Sequence, residues 1–176
     1  VGWVADSRLR VRVAIVPTKD GQTILHRAGP EDAWTELLRS AHEDPGTHPL
    51  SFAADDRTLW LASSIGSNAV ELRTLDTLTG EQKTVASDSA ADLADRLFHP
   101  TRRTPQAVGF ERERHSWKIL DPSLQPDFDA VSRLAPGDFH VASRDLEDRT
   151  WIVAFWGFVA ARATGTLVAA RFQRRR

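Results

Sequence analysis

Apolar and polar positions alternate with a period of two along most of this chain. Leu9-Arg10-Val11-Arg12-Val13 sets the pattern of a half-buried strand over residues 9–16. Pro17 ends that run, Lys19-Asp20-Gly21 signals a turn, and residues 23–26 return as the hairpin partner. Residues 50–53, 58–63, 69–75 and 82–86 read as four more strands, with turns at Asp55-Asp56-Arg57, Ser64 to Ser67 and Thr79-Gly80. The last of the four is polar, as an outer strand must be to avoid edge-to-edge pairing. Further strands are expected over 107–111, 116–120, 139–142 and 150–155. Three stretches break the alternation. Trp34, Leu37, Leu38 and Ala41 fall on one helical face, although a short strand over 34–38 also suits the surroundings. Residues 88–97 read as a linker with helical character through Leu93 and Leu97. Residues 126–134 read as a short helix, with Asp127 as its cap and Phe128, Val131 and Leu134 on one side.

The strands recur. Arg57-Thr58 returns as Arg103-Thr104 and Arg149-Thr150, 46 residues apart each time. Asp56-Arg57-Thr58-Leu59-Trp60-Leu61-Ala62 matches Asp148-Arg149-Thr150-Trp151-Ile152-Val153-Ala154 in its Asp, Arg, Thr and final Ala, with apolar residues between. A polar turn feeding an apolar run at this period, with several short strands per unit, predicts β-propeller blades. The expected fold is all-β with minor helices: a partial propeller of three to four antiparallel blades over residues 1–155. Residues 156–176 read as an anomalous Ala/Arg-rich tail or an incomplete last blade. From Arg149 onward there is no acidic residue, and Thr164-Gly165 follows Thr79-Gly80 by 85 residues, short of two full periods. An open set of blades exposes edges and apolar faces, so self-association is expected.

Composition narrows the function classes. At 176 residues the chain is long enough for a substantial core, and a mean hydropathy of −0.36 suits a globular protein. A net charge of −1 gives no general reason to expect nucleic acid as a partner. Absence of cysteine removes disulfides and thiolate metal sites, without indicating cytoplasm or periplasm. The chain starts at Val1 rather than Met and reads as a fragment.

Trp3-Val4-Ala5-Asp6, Ser51-Phe52-Ala53-Ala54-Asp55-Asp56-Arg57-Thr58-Leu59-Trp60, Leu75-Asp76-Thr77-Leu78-Thr79-Gly80, Leu97-Phe98-His99-Pro100, Pro105-Gln106-Ala107-Val108 and Asp148-Arg149-Thr150-Trp151 occur in that order. This layout resembles the N-terminal propeller of the prolyl oligopeptidase family of serine peptidases, especially bacterial dipeptidyl and acylaminoacyl peptidases. The resemblance covers roughly residues 1–155. It implies a parent enzyme in which a propeller admits short peptides to an α/β-hydrolase domain and keeps folded proteins out. The chain has no Gly-x-Ser-x-Gly nucleophile elbow and no strand–turn–helix unit to carry one. No catalytic residue is therefore assigned, and the chain alone is expected to be inactive. The alternative expectation is a free-standing propeller-like interaction module or a non-functional remnant.

The remaining chemistry reads as structural. His42-Glu43 and His48 lack the His-Glu-x-x-His spacing, and Pro45-Gly46 interrupts the helix that motif needs, so no metal site and no cofactor are expected. Arg102-Arg103, Arg112, Arg114 and Arg174-Arg175-Arg176 are basic, but Glu111 and Glu113 interleave with the middle pair as in a solvated hairpin. Trp60 and Trp151 sit near matching repeat positions and read as blade packing, whereas Trp156 has no such explanation. Residues 151–170 are apolar enough to invite a membrane reading, but Arg162 and Thr164-Gly165 argue against a span.

Overall fold

The computed structural model describes residues 1–44, 46–159 and 162–171. The chain divides into two compact units, Val1–Leu93 and Ala94–Arg176. Each unit holds two antiparallel sheets whose strands follow one another in chain order.

In the first unit, β1 (Gly2–Ala5), β2 (Val11–Thr18), β3 (Gly21–His26) and β4 (Thr35–Ala41) form one sheet, and β5 (His48–Phe52), β6 (Thr58–Ser63), β7 (Glu71–Asp76) and β8 (Gln82–Ala86) form the next. Their core is Val13, Ile24, Phe52, Leu59, Leu61 and Leu75, with Val4, Leu37 and Leu38 packed against it. In the second unit, β9 (Leu93–Phe98), β10 (Pro105–Glu111) and β11 (His115–Ile119) form a three-stranded sheet. A 3-10 turn (Pro122–Leu124) and the helix α1 (Gln125–Val131) lead to a sheet of β12 (Asp138–Arg144), β13 (Thr150–Val159) and β14 (Arg162–Arg171). Trp151, Val153 and Phe155 alternate inward from β13 and meet Leu124, Phe128 and Val131. Four-strand and three-strand antiparallel meanders of this kind are the propeller-blade pattern the sequence predicts.

The repeat has a backbone cause. The first turn of every sheet contains one non-glycine residue in the left-handed region: Leu9 (φ 61°), Asp56 (φ 52°), Arg103 (φ 55°) and Asp148 (φ 55°). These positions lie 47, 47 and 45 residues apart. In each turn the residue that opens it donates its N–H to a carbonyl across the turn, Asp6 to Arg10, Ala53 to Thr58, His99 to Thr104 and Asp145 to Thr150. A side chain then holds the turn's amides. Asp6 accepts from the N–H of Arg8 and Arg10, Asp55 from Arg57 and Thr58, the His99 ring from Thr101 and Arg102, and Asp145 from Arg149. Such local bonds stabilise a turn that L-residues otherwise resist. Burial would raise the Asp6 carboxyl, but hydrogen bonds from the Arg10 side chain and from the Arg10 and Arg8 amides outweigh it and hold it at about 2. Arg57-Thr58, Arg103-Thr104 and Arg149-Thr150 therefore fall in this turn of the second, third and fourth sheets, while the first sheet makes it with Leu9-Arg10.

Three expectations change. Residues 35–41 form β4, not a helix. Leu37 is an extra residue at a bulge, between the pairs Leu25↔Glu36 and Ile24↔Leu38. Both leucines reach the core, and that doublet imitates a helical face. Residues 93–98 form β9 rather than a helical linker. Leu93, Asp95 and Leu97 turn inward while Ala94 and Arg96 are exposed. The inward Asp95 hides the alternation. Pro17 does not end β2, since it pairs with Gln22 near the strand's end, where a missing N–H is tolerated. The short helix stands as α1. The described residues of 151–170 lie in two paired strands, and no helix among the described residues is long and apolar enough to cross a membrane. Residues 174–176 of the basic tail lie outside the described residues.

Candidate functional site

The second unit carries a cleft of about 440 Å³ between β11, α1 and the start of β12. Its wall is aromatic. Trp117 meets Phe128 edge-on at 5.4 Å between ring centroids and stacks beside Phe139 at 6.1 Å, and its indole N–H donates to the Phe139 carbonyl at 3.0 Å. Alternation on β11 points His115, Trp117 and Ile119 into this space. Gln125, Asp129 and Ser132 line the helical side. The Ser132 hydroxyl donates back to the Asp129 carbonyl at 3.0 Å, so it is engaged within its own turn.

At the cleft's end, Asp95 (β9), His115 (β11) and His140 (β12) converge. One ligand-capable atom of each lies within 4.8 Å of those of the other two. His140 Nδ1 and Asp95 Oδ2 are 2.8 Å apart, and the two imidazole rings lie 4.2 Å apart at 48°. Trp117 stands edge-on to His115 and Trp156 edge-on to His140. Both ring nitrogens of His115 are buried and have no hydrogen-bond partner among the described residues. Burial, and then the neighbouring His140, push the His115 imidazole below its ordinary pKa. Asp138 sits beside the cluster. Burial would raise its carboxyl, but Arg114 at 2.6 Å and the His115 amide at 3.1 Å hold it below the usual range.

Gly109 on β10 makes this packing feasible. A Cβ there would stand 2.5 Å from His115 Cε1 and Nε2 and 2.8 Å from Asp95 Cβ. No side chain fits under the His115 ring without displacing it. Asp95 and His140 form a carboxylate–imidazole pair of the kind that orients a general base. Among the described residues, neither His140 nor His115 is hydrogen-bonded to a serine hydroxyl. Its donor set of two imidazoles and one carboxylate suits a metal of the zinc class.

Two other polar clusters are buried and read as structural. Arg12 reaches the Arg27 carbonyl at 2.8 Å, His26 Nε2 at 3.1 Å and Asp6 at 3.7 Å. Arg144 pairs with Asp148 at 2.8 Å and with Gln106 Oε1 at 2.9 Å, and it also bonds the Phe98 carbonyl. Both spend their donors on neighbouring strands and turns.

The structure separates the other candidates. His42 Nε2 engages the Lys19 carbonyl and His48 Nδ1 the Gly46 carbonyl. Among the described residues the group of Asp95, His115 and His140 is the one within metal-binding reach, and it includes neither. Arg114 is paired with Asp138 and Arg102 lies 3.9 Å from Asp121, so these arginines do not form a free basic patch. Trp60 and Trp151 are buried, as blade packing requires, while Trp156 is 50% exposed against His140. The sequence reading missed the cluster because residues 95, 115 and 140 follow no metal-ligand spacing. Two signals were present: Gly109 inside a strand, which marks a close approach, and an aspartate on the inward face of β9.

Comparison with known proteins places this geometry. Dipeptidyl aminopeptidase BIII of Pseudoxanthomonas mexicana is 32% identical over 155 residues, which cover 88% of this chain and 22% of that protein. The chain thus spans about a fifth of the length of this curated relative. The crystal structure of TolB from Acinetobacter baumannii superposes on 98% of the chain and 41% of that chain, with a TM-score of 0.56 at 13% identity. No protein-family model matches the chain. The resemblance to dipeptidyl peptidases read from the sequence is borne out, and the fold is all-β and propeller-like.

Proposed function

We propose that the chain is a non-catalytic propeller portion of a prolyl oligopeptidase-like serine peptidase, and that it controls access of short peptides to an α/β-hydrolase domain elsewhere in the parent protein. The observation that carries this reading is the 32% identity to dipeptidyl aminopeptidase BIII along 88% of the chain. The sheets support it in kind. They are short antiparallel meanders repeated on a fixed turn, a scaffold that presents loops and edges rather than a catalytic elbow. The two buried arginine networks are in keeping with it, since Arg12 and Arg144 are committed to turns and neighbouring strands. Discrimination then comes from size and docking, and hydrolysis proceeds through an acyl-enzyme on the hydrolase serine.

A chimera tests it. The aligned segment of dipeptidyl aminopeptidase BIII is replaced by the matching residues of this chain, and dipeptide release is measured on short peptides and on a labelled folded protein. The reading expects a soluble chimera that keeps its action on short peptides and spares the folded protein. A well-folded chimera that cleaves both equally would overturn the access role. One that releases no dipeptide would overturn the assignment of the segment.

A further inference from the structure

We propose that Asp95, His115 and His140 bind a divalent transition-metal ion of the zinc class, with the carboxylate and one nitrogen of each imidazole as ligands. Three independent strands deliver the donors to one place, and all three residues are only part-buried. Zinc holds nitrogen and oxygen ligands at about 2.0–2.2 Å, which sets tetrahedral ligands roughly 3.3–3.6 Å apart. The observed spread of up to 4.8 Å closes by modest ring rotation. Asp95 Oδ2 and His140 Nδ1, at 2.8 Å, already face one another.

The second line of evidence is His115 itself. Native proteins seldom leave a buried polar side chain unpartnered, and a bound ion is one of the few explanations for it. Both of its ring nitrogens are in that state. Its position is also enforced, because Gly109 leaves room for the ring directly beside Asp95. A histidine with only a packing role would not need a glycine beneath it and a carboxylate beside it.

Donor chemistry selects the ion. Calcium and magnesium take all-oxygen shells, whereas two imidazoles and a carboxylate suit Zn²⁺, Co²⁺, Ni²⁺ or Cu²⁺. Trp117 and Trp156 flank the two rings and limit rotation, which favours one coordination geometry.

The test uses the full untagged chain, stripped with a chelator and titrated with Zn²⁺ by calorimetry and with Co²⁺ by visible d–d absorption. The expected result is one ion per chain, a Co²⁺ spectrum of low-symmetry, low-coordinate type, and a rise in melting temperature on Zn²⁺ addition. His115→Gln and His140→Gln should each weaken binding by more than the ~10–100-fold that outer-shell partners carry. Gly109→Ala should weaken it by displacing the His115 ring. His42→Gln, which sits outside the cluster, should leave it unchanged. Absence of Zn²⁺ and Co²⁺ binding to the wild-type chain would overturn the proposal without recourse to any variant. Binding that survives both histidine substitutions would overturn it equally, by placing the ion elsewhere.

Discussion

Asp148 joins a strained turn to a buried ion pair, and its replacement by alanine should be the most damaging single change in the second unit. The carboxylate is 1% exposed and accepts from Arg144 Nη1 and from the Trp151 indole N–H, both at 2.8 Å. Alanine leaves the Arg144 guanidinium buried without its counter-charge, which costs about 3–5 kcal/mol. The left-handed φ of 55° adds about 1 kcal/mol, because alanine lacks the local hydrogen bonding that lets aspartate adopt it. The expected loss is on the order of 4–6 kcal/mol, a large share of the ~5–15 kcal/mol typical of a folded domain. Asp56 is the internal control. It has nearly the same φ, 52°, in the matching turn of the first unit, but among the described residues its carboxylate bonds the exposed Ser7 and no arginine. Asp56→Ala should therefore cost about 1–2 kcal/mol. The assay is the urea midpoint read by tryptophan fluorescence at one fixed protein concentration, since association shifts apparent stability by mass action. Arg144→Met with Asp148→Asn should recover much of the loss, because removing both charges is cheaper than stranding one. An Asp148→Ala loss below about 1 kcal/mol, or equal to that of Asp56→Ala, would refute the reasoning.

Leu9 is 84% exposed and holds φ 61° at the equivalent turn of the first sheet. Leu9→Gly should raise the melting temperature through a net gain of about 0.5–1 kcal/mol, relief of strain exceeding glycine's entropy cost. His26 carries a pH dependence. Burial, and then Arg12, lower its pKa from 6.5, and Arg12 can only donate, so His26 Nε2 accepts and the ring is neutral. As pH falls below 6.5 the unfolded chain takes up a proton that the native chain refuses, so stability is full above 6.5 and declines below it. Urea midpoints between pH 7.5 and pH 5 should show this slope, and His26→Gln should flatten part of it, the remainder belonging to His115, which is displaced in the same direction.

Most of the strand order was readable from short apolar runs bounded by polar turns, since inner strands such as β6 and β10 are buried almost throughout. Residues 82–86 coincide with β8, and the recurring Arg-Thr pairs marked the turns between first and second strands. What misled was local departure from alternation, each with a physical cause. A bulge at Leu37 placed two leucines on the core, and an inward carboxylate at Asp95 broke the pattern of β9. β1 was not predicted as a strand, since Gly2–Ala5 is too short to show a period. The cluster of Asp95, His115 and His140 was invisible for a different reason. Its members come from three strands joined by loops and a helix, and only the sheet register brings them together.

The central claim is that this chain shapes access to a peptidase without performing the hydrolysis. Its most direct test is incubation of the purified chain with a dipeptidyl chromogenic substrate and a fluorophosphonate probe. The account predicts no turnover and no covalent label on any serine. Turnover that disappears on stoichiometric labelling of one serine would contradict it.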